Sequence, residues 1–184
     1  MNEKQNKSQE SNSTQKGQWR LSIAKDYLKF AAAHMSIFPD GSKEHLHGHN
    51  YQVRFSLVIH DASFKRMINF VELKRILVPI LEEWDEKILF AIANPHVKHQ
   101  VSESSVELEI CGKKYVLPSD EVVLLNIDNI TTEALAAEVH RRYSLALKQS
   151  GAFTEDALNV IESLEIEVIE SRGQGASYSE SFLS

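Results

Sequence analysis

Three histidines in the first third of the chain have the side-chain type and spacing of a metal site. His47 and His49 are separated by one glycine, so in an extended segment their side chains fall on the same side. His34 ends the apolar run of residues 30–33. Three nitrogen ligands with one coordination position left open build a catalytic zinc site, whereas a structural site is closed by a fourth protein ligand. The pattern therefore predicts a metal enzyme.

Two predicted strands must bring these histidines together. The first strand ends at His34, and its apolar positions change phase between Ile23 and Leu28, which predicts a bulge. The second strand covers residues 50–60, where apolar and polar side chains alternate. Both histidines of the His-Gly-His segment share the parity of that apolar row. We therefore expect them to point towards a core or pocket and not into open solvent.

Two helices are predicted further along the chain. Asn69 is a suitable N-cap for a helix with one apolar face over residues 73–84, and Pro79 is expected to kink or split it. A second helix is predicted to begin near residues 131–133, with a threonine as its N-cap. The pattern of residues 155–162 is ambiguous.

The remaining pattern predicts a hairpin and a last strand. Residues 106–110 and 114–117 flank a short turn, and residues 164–170 alternate between apolar and acidic side chains. Glu170 ends the apolar row of that last strand, and a buried carboxylate is costly unless something satisfies it. It could meet a structural partner, or accept from adjacent N–H donors of a ligand. From parity alone, emergence of the strand into water is the favoured explanation.

Composition limits the class of protein. The chain has 184 residues, which predicts one domain over residues 19–184 after a polar, disordered tail at residues 1–18. The net charge of −6, with no basic stripe, argues against a nucleic-acid partner. No apolar run approaches the roughly 20 residues of a membrane span, and no secretory signal is recognisable. The single cysteine, Cys111, fits a reducing compartment, so we expect a cytoplasmic protein.

Several motifs occur together in an order that resembles a known family. The chain resembles the 6-pyruvoyl-tetrahydropterin synthase and 6-carboxy-tetrahydropterin synthase family over about residues 19–178. The landmarks, in order, are Phe30-Ala31-Ala32-Ala33-His34, His47-Gly48-His49-Asn50-Tyr51, Asn69-Phe70-x-x-Leu73-Lys74, Asp85, Thr131-Thr132-Glu133, and Glu170 with a trailing Ala176-x-Tyr178.

The resemblance implies a fold and a set of roles. The fold is an α+β T-fold (tunnelling fold), with an antiparallel four-stranded sheet, two helices on one face and here an extra hairpin at residues 101–120. Its subunits associate as homotrimers or homohexamers with active sites at subunit interfaces. The resemblance assigns Zn²⁺ as cofactor, a small-molecule pterin as substrate, and these site residues: zinc on His34, His47 and His49, pterin anchoring on Glu170, and Thr131 and Thr132 near the pterin.

Two departures from the family pattern bear on the chemistry. Both named synthases place a catalytic cysteine shortly before the His-Gly-His segment, and here that stretch has none. Asp85-Glu86 also stands where the family pairs an aspartate with a histidine. Glu44 instead resembles a subgroup with glutamate in place of the cysteine, whose members cleave the side chain of 7,8-dihydroneopterin triphosphate to 6-hydroxymethyl-7,8-dihydropterin for folate synthesis. Glu44 is then the general base of a zinc-dependent lyase, and Asp85 and Glu86 relay protons or position water.

Other interpretations of these residues stay open. Glu44 could be a solvated loop residue, Asp85-Glu86 could cap the end of the first helix, and Arg172 could pair with Glu170. The chain could thus be a glutamate-type pterin lyase, a related T-fold pterin enzyme with another substrate, or a catalytically silent pterin- or zinc-binding protein.

Overall fold

The computed structural model describes residues 17–183. The predicted tail therefore lies outside the described residues, except for Gly17 and Gln18. Nine strands and three α-helices are formed within the described range. The strands are β1 (Trp19–His34), β2 (His47–Ile59), β3 (Lys87–Ala91), β4 (Val97–Val101), β5 (Ser105–Ile110), β6 (Lys113–Pro118), β7 (Val122–Leu125), β8 (Ile161–Ser171) and β9 (Gln174–Ser181). The helices are α1 (Phe70–Glu82), α2 (Thr132–Gln149) and α3 (Glu155–Leu158).

The main sheet has six strands in the order β7-β3-β1-β2-β8-β9. The four neighbouring strands β1, β2, β8 and β9 pair antiparallel, which confirms the expected four-stranded sheet. Two short strands, β3 and β7, extend it by parallel pairing, which the sequence pattern did not predict. The predicted bulge is also confirmed, because the register between β1 and β2 shifts between Ala24 and Lys29.

The two long helices cover one face of this sheet. The inward side chains of β1, β2 and β8 form a single core with apolar side chains of both helices. Tyr143 of α2 is fully buried, and its hydroxyl donates to the Leu73 carbonyl of α1 over 2.8 Å. The opposite sheet face carries charged side chains such as Arg54 and Glu167, which lie 3.6 Å apart. This one-sided burial is the reason for the strict alternation along the strands.

The helix ends follow from their capping residues. Asn69 accepts from the Val71 N–H over 2.9 Å at the start of α1, and Thr131 accepts from the Ala134 N–H over 3.3 Å at the start of α2. Both predicted caps are therefore confirmed. Helix α1 continues across Pro79, so the predicted split does not occur. The ambiguous stretch at 155–162 contains both structures, with the single turn of α3 followed by the start of β8.

A second, smaller sheet contains the predicted hairpin. Strands β5 and β6 pair antiparallel around the turn Cys111-Gly112, where both residues have positive φ, as a type I′ hairpin turn requires. Strand β4 adds to β5, so the hairpin is part of a three-stranded sheet. This small sheet has its own apolar cluster. Among the described residues, we find no helix with the length and apolar character needed to cross a membrane.

Candidate metal centre and active site

The pairing of β1 with β2 brings the three histidines together. His34 lies directly opposite His47, and His49 lies opposite Ala32 on the same ladder. Each histidine offers one ring nitrogen, and these atoms lie within 4.8 Å of one another. His34 is buried, whereas His47 and His49 are half-buried. The predicted set is thus placed so that it could hold one metal ion, with a side open to ligands.

Backbone carbonyls select the tautomer of two of these rings. His34 Nδ1 lies 3.2 Å from the Ile130 carbonyl oxygen, and His47 Nδ1 lies 2.7 Å from the His45 carbonyl oxygen. A carbonyl only accepts hydrogen bonds, so Nδ1 carries the proton in both rings. The Nε2 lone pairs are then free to bind a metal, which is the arrangement that carbonyl partners impose on metal-ligating histidines.

The buried nitrogen of His34 provides a test of whether a cation fits. His34 Nε2 is buried and has no hydrogen-bond partner, and Glu170 Oε1 lies 3.5 Å away. Burial, followed by the neighbouring His47, lowers the pKa of His34, so the ring is neutral at neutral pH. Two acceptors, a lone pair and a carboxylate oxygen, therefore face each other, and a cation between the rings relieves this conflict. The donor set fits a divalent transition metal such as Zn²⁺.

Glu44 is held by the loop that joins β1 to β2. Its Oε2 accepts from the Ser36 N–H over 3.0 Å, and its own N–H donates to the Ser36 carbonyl over 3.0 Å. Burial raises the pKa of Glu44, but the hydrogen bonds from Ser36, followed by the nearby His47 ring, outweigh this and lower it. The carboxylate is therefore ionised at neutral pH, as a general base must be.

A polar network that sequence reasoning missed fixes this loop. Asn129 Oδ1 accepts from the N–H groups of Ile37 and Ile130, both over 3.0 Å, and its Nδ2 donates to the Ile37 carbonyl over 2.9 Å. The Ile130 carbonyl accepts from His34 and from the Ser36 hydroxyl at 3.1 Å. The segment before α2 therefore positions both a candidate ligand and the loop that carries Glu44. No local spacing could reveal a contact between residues 92 positions apart.

Glu170 lies against the histidines. Its Oε1 is 3.1 Å from His49 Nε2, and its Oε2 accepts from Gln174 Nε2 over 2.7 Å. The side chain is only 13% exposed, so the explanation that the strand emerges into water at this point is wrong. Gln174, the first residue of β9, is the described hydrogen-bond partner of Glu170, and no described ion pair joins Glu170 to Arg172.

The other predicted residues lie around the same strands. Asp85 Oδ1 accepts from the Ala31 N–H over 2.7 Å, which ties the end of α1 to β1. Glu86 has a positive φ of 58° and, with His49, lines a surface hollow of about 340 Å³. Neither has a described hydrogen bond or ion pair with the three histidines.

The two threonines lie at the start of α2. Thr131 follows Ile130 directly and uses its hydroxyl as the N-cap. The Thr132 hydroxyl donates to the Glu133 carboxylate over 3.4 Å. The structure thus places Thr131 one residue from the carbonyl that orients His34, while both hydroxyls interact within the helix start.

A comparison with known protein families decides the family. A family model described as 6-pyruvoyl tetrahydropterin synthase matches residues 22–181. The chain belongs to this family. It is thus a member of a family of pterin enzymes, and the resemblance drawn from its motifs is confirmed. The match spans every predicted site residue from His34 to Glu170.

Individual relatives agree with this assignment. A Methanocaldococcus jannaschii protein with the provisional name 6-carboxy-5,6,7,8-tetrahydropterin synthase is 30% identical over 152 residues, which are 82% of this chain and 89% of the relative. The crystal structure of 6-pyruvoyl tetrahydropterin synthase from Plasmodium vivax matches with a TM-score of 0.79 and 20% identity, over 90% of this chain and 99% of that chain. The Plasmodium falciparum structure matches with a TM-score of 0.79 and 21% identity, over 89% and 98%.

Two further Plasmodium vivax structures share the fold. Each matches with a TM-score of 0.79 and 19% identity, over 90% of this chain and 99% of that chain. They are described as catalytic-residue mutants, in which a glutamate is replaced by alanine or by cysteine. At these identities the likeness establishes the fold, so the chain has the T-fold expected from its motifs.

Proposed function

We propose that this protein is a zinc-dependent lyase that cleaves the side chain of 7,8-dihydroneopterin triphosphate to 6-hydroxymethyl-7,8-dihydropterin, a product that would feed folate synthesis. The observation that carries the proposal is Glu44, an ionised carboxylate on the loop that leads into the histidine set. A glutamate there takes the place of the cysteine expected of the named synthases. Membership of a pterin-enzyme family supports the substrate class.

The proposed reaction assigns metal-binding and substrate-binding roles to residues of the chain. His34, His47 and His49 would hold zinc, which as a Lewis acid supplies stabilisation of negative charge on side-chain oxygens of the substrate. Glu170 would accept from the amide and amino N–H groups of the pterin, which form a flat edge that matches one carboxylate. Thr131 and Thr132 would line the pterin pocket.

Glu44 would act as the base for carbon–carbon cleavage. It would take the proton of the hydroxyl on the second side-chain carbon, so that this carbon becomes an aldehyde as its bond to the first carbon breaks. The electron pair would pass to the first carbon and its conjugated ring, and a proton delivered to that carbon would complete the product. Asp85 and Glu86 would relay protons or position water. The step needs no oxidant or reductant.

We further propose that the protein acts as a homotrimer or homohexamer with active sites between subunits. Strand β9 is one edge of the main sheet. On the other side β1 pairs with β3 only at Ala32 and Ala33, so the part of β1 before Ala31 has no described strand partner there and forms a second open edge. Two open edges in one sheet favour edge-to-edge closure with other copies, because closure pairs their free backbone groups.

A second candidate is a related synthase activity with another product. The relative from Methanocaldococcus jannaschii, at 30% identity, bears a 6-carboxy-tetrahydropterin synthase name. In that case Asp85 and Glu86 would do the acid–base work and Glu44 would be dispensable. A protein that binds pterin without turnover is the third outcome.

The test is the rate of pterin product formation by zinc-loaded protein with 7,8-dihydroneopterin triphosphate. Glu44→Gln removes the base with little change in size, and we expect a loss of about 10²- to 10⁴-fold in kcat. Glu82→Gln makes the same chemical change at an exposed position of α1 and should leave the rate unchanged. Full activity in Glu44→Gln would reject the assignment of the base and favour the second candidate. Binding of the substrate without any product would favour the third.

A further inference from the structure

The small sheet of β4, β5 and β6, which we call the insert sheet, packs on the segment that carries the proposed base. We call residues 35–44 the Glu44 loop. Val106, Leu108 and Ile110 of the insert sheet are buried in one apolar cluster with Met35 and Ile37 of this loop. Phe90 of β3 completes the cluster, so the loop is packed between the insert sheet and the main sheet.

Contacts closer to Glu44 continue this packing. Lys43 Nζ lies 5.4 Å from the centroid of the Tyr115 ring, and it donates to the Glu44 carbonyl over 2.9 Å. An ammonium over an aromatic ring is attracted by the negative face of the ring. Tyr115 of β6 thus fixes a side chain that in turn holds the backbone of Glu44.

The Glu44 loop also contacts the residue that precedes the insert sheet. Gly41 has φ of 79°, and the ring of His96 stands so close that a Cβ on Gly41 would lie 3.3 Å from its Cε1 atom. The Cys111 N–H donates to the His96 carbonyl over 3.1 Å, which links the His96 backbone to the hairpin turn. A bridge between Ile37 and Lys43 closes the loop on itself.

We propose that the insert sheet is a positioning element for the proposed reaction: it holds the Glu44 carboxylate at the histidine set through the Glu44 loop. The inference rests on the proposed role of Glu44. Asn129 also holds this loop, through hydrogen bonds to the Ile37 backbone. The loop is therefore fixed by polar contacts with Asn129 and by apolar contacts with the insert sheet. A base must lie within hydrogen-bond reach of its proton, so a displacement of about 1 Å can cost about 10²-fold in rate.

The test uses two variants of the insert sheet and a matched control. Tyr115→Ala removes the ring beneath Lys43 at a half-buried position, and Leu108→Ala opens the apolar cluster at a residue that is 2% exposed. Val116→Ala is the control, because Val116 follows Tyr115 on β6, faces the other way and is 57% exposed. Tyr115→Phe keeps the aromatic face and should restore the behaviour of the unaltered protein.

Two readouts separate positioning from a general loss of structure. We expect kcat of Tyr115→Ala and Leu108→Ala to fall by about 10- to 100-fold, while KM and zinc affinity stay within about twofold. Independently of activity, hydrogen exchange at the N–H groups of Ser36, Ile37 and Glu44 should become faster in both variants and stay unchanged in Val116→Ala and Tyr115→Phe. The Ser36 and Glu44 N–H groups donate to acceptors within the Glu44 loop, and the Ile37 N–H donates to Asn129 at the edge of the loop.

The outcomes distinguish the two proposals. If Glu44→Gln abolishes turnover but both insert-sheet variants match Val116→Ala in kcat and exchange, the positioning role is wrong and the proposed function stands. If the unaltered protein forms no product, the proposed function fails, and unchanged exchange in the Glu44 loop then also overturns the structural inference. Faster exchange confined to that loop, in a protein that forms no product, would support only the structural part of the inference, which is that the insert sheet holds the Glu44 loop in place.

Discussion

Replacement of Asn129 by alanine should lower the stability of the protein and the metal affinity of its candidate site together. The Asn129 amide satisfies three backbone groups, the N–H groups of Ile37 and Ile130 and the Ile37 carbonyl. Ile37 is 7% exposed and Ile130 is 1% exposed, so water cannot easily replace the lost partners. At about 1 kcal/mol for each group left without a partner, Asn129→Ala should lower the free energy of unfolding by about 3 kcal/mol.

The same substitution should loosen the carbonyl that orients His34. Ile130 accepts from His34 Nδ1, and loss of such an outer partner typically costs about 10- to 100-fold in metal affinity. The free energy of unfolding is measured by urea titration of the metal-free protein, and zinc affinity by competition with a chromophoric chelator. Asn129→Asp keeps the acceptor for both N–H groups and should lose less, while Asn126→Ala, at an exposed position of the same segment, should lose almost nothing.

The result that would refute this reasoning is a small effect. If Asn129→Ala unfolds within about 0.5 kcal/mol of the unaltered protein, the three hydrogen bonds contribute little net stability. If its stability falls as expected but zinc affinity is unchanged, the Ile130 carbonyl does not control the metal-binding tautomer of His34.

Three further predictions concern the metal, the core and the sheet. Removal of metal with a chelator should lower Tm, and free zinc at about 100 times Kd should raise the free energy of unfolding by about 2.7 kcal/mol. Calorimetry measures both effects. A stabilisation by zinc that persists in His47→Ala would contradict the prediction. Tyr143→Phe removes the buried hydroxyl that donates to Leu73 and should cost about 1 kcal/mol in urea unfolding, with an unchanged midpoint as the contrary result. Gly175→Ala would place a Cβ 2.6 Å from the Val168 carbonyl oxygen and should lower the free energy of unfolding by about 1–3 kcal/mol. A Tm equal to that of the unaltered protein would disprove this prediction.

The positions of the three histidines could be predicted from strand parity. The inward row of β2 contains His47 and His49 and that of β1 ends at His34, and these three side chains come together in the structure. Parity also places Glu170 at the end of the inward row of β8, but it favours emergence into water there, whereas the carboxylate lies against His34 and His49. Parity works because one sheet face is buried, so a slip of one residue would expose the whole apolar row. The helix caps at Asn69 and Thr131 are equally local signals.

Contacts between distant segments could not be predicted in this way. The parallel strands β3 and β7 are five and four residues long, and their sequences lack the alternation of apolar and polar side chains that would predict a strand. The hydrogen bonds between Asn129 and Ile37, and the packing of the insert sheet on the Glu44 loop, form only when the tertiary fold brings these distant segments together. Pro79 shows another limit of local preference, because α1 runs from Phe70 to Glu82 without the split that the proline could cause.

The measurement that tests the central claim most directly is identification of both products formed from 7,8-dihydroneopterin triphosphate by the zinc-loaded protein. Separation by chromatography and mass spectrometry should find 6-hydroxymethyl-7,8-dihydropterin and a two-carbon aldehyde that carries the triphosphate, in equal amounts. A pterin product that retains all three side-chain carbons would contradict the account, because no carbon–carbon bond would then have been broken.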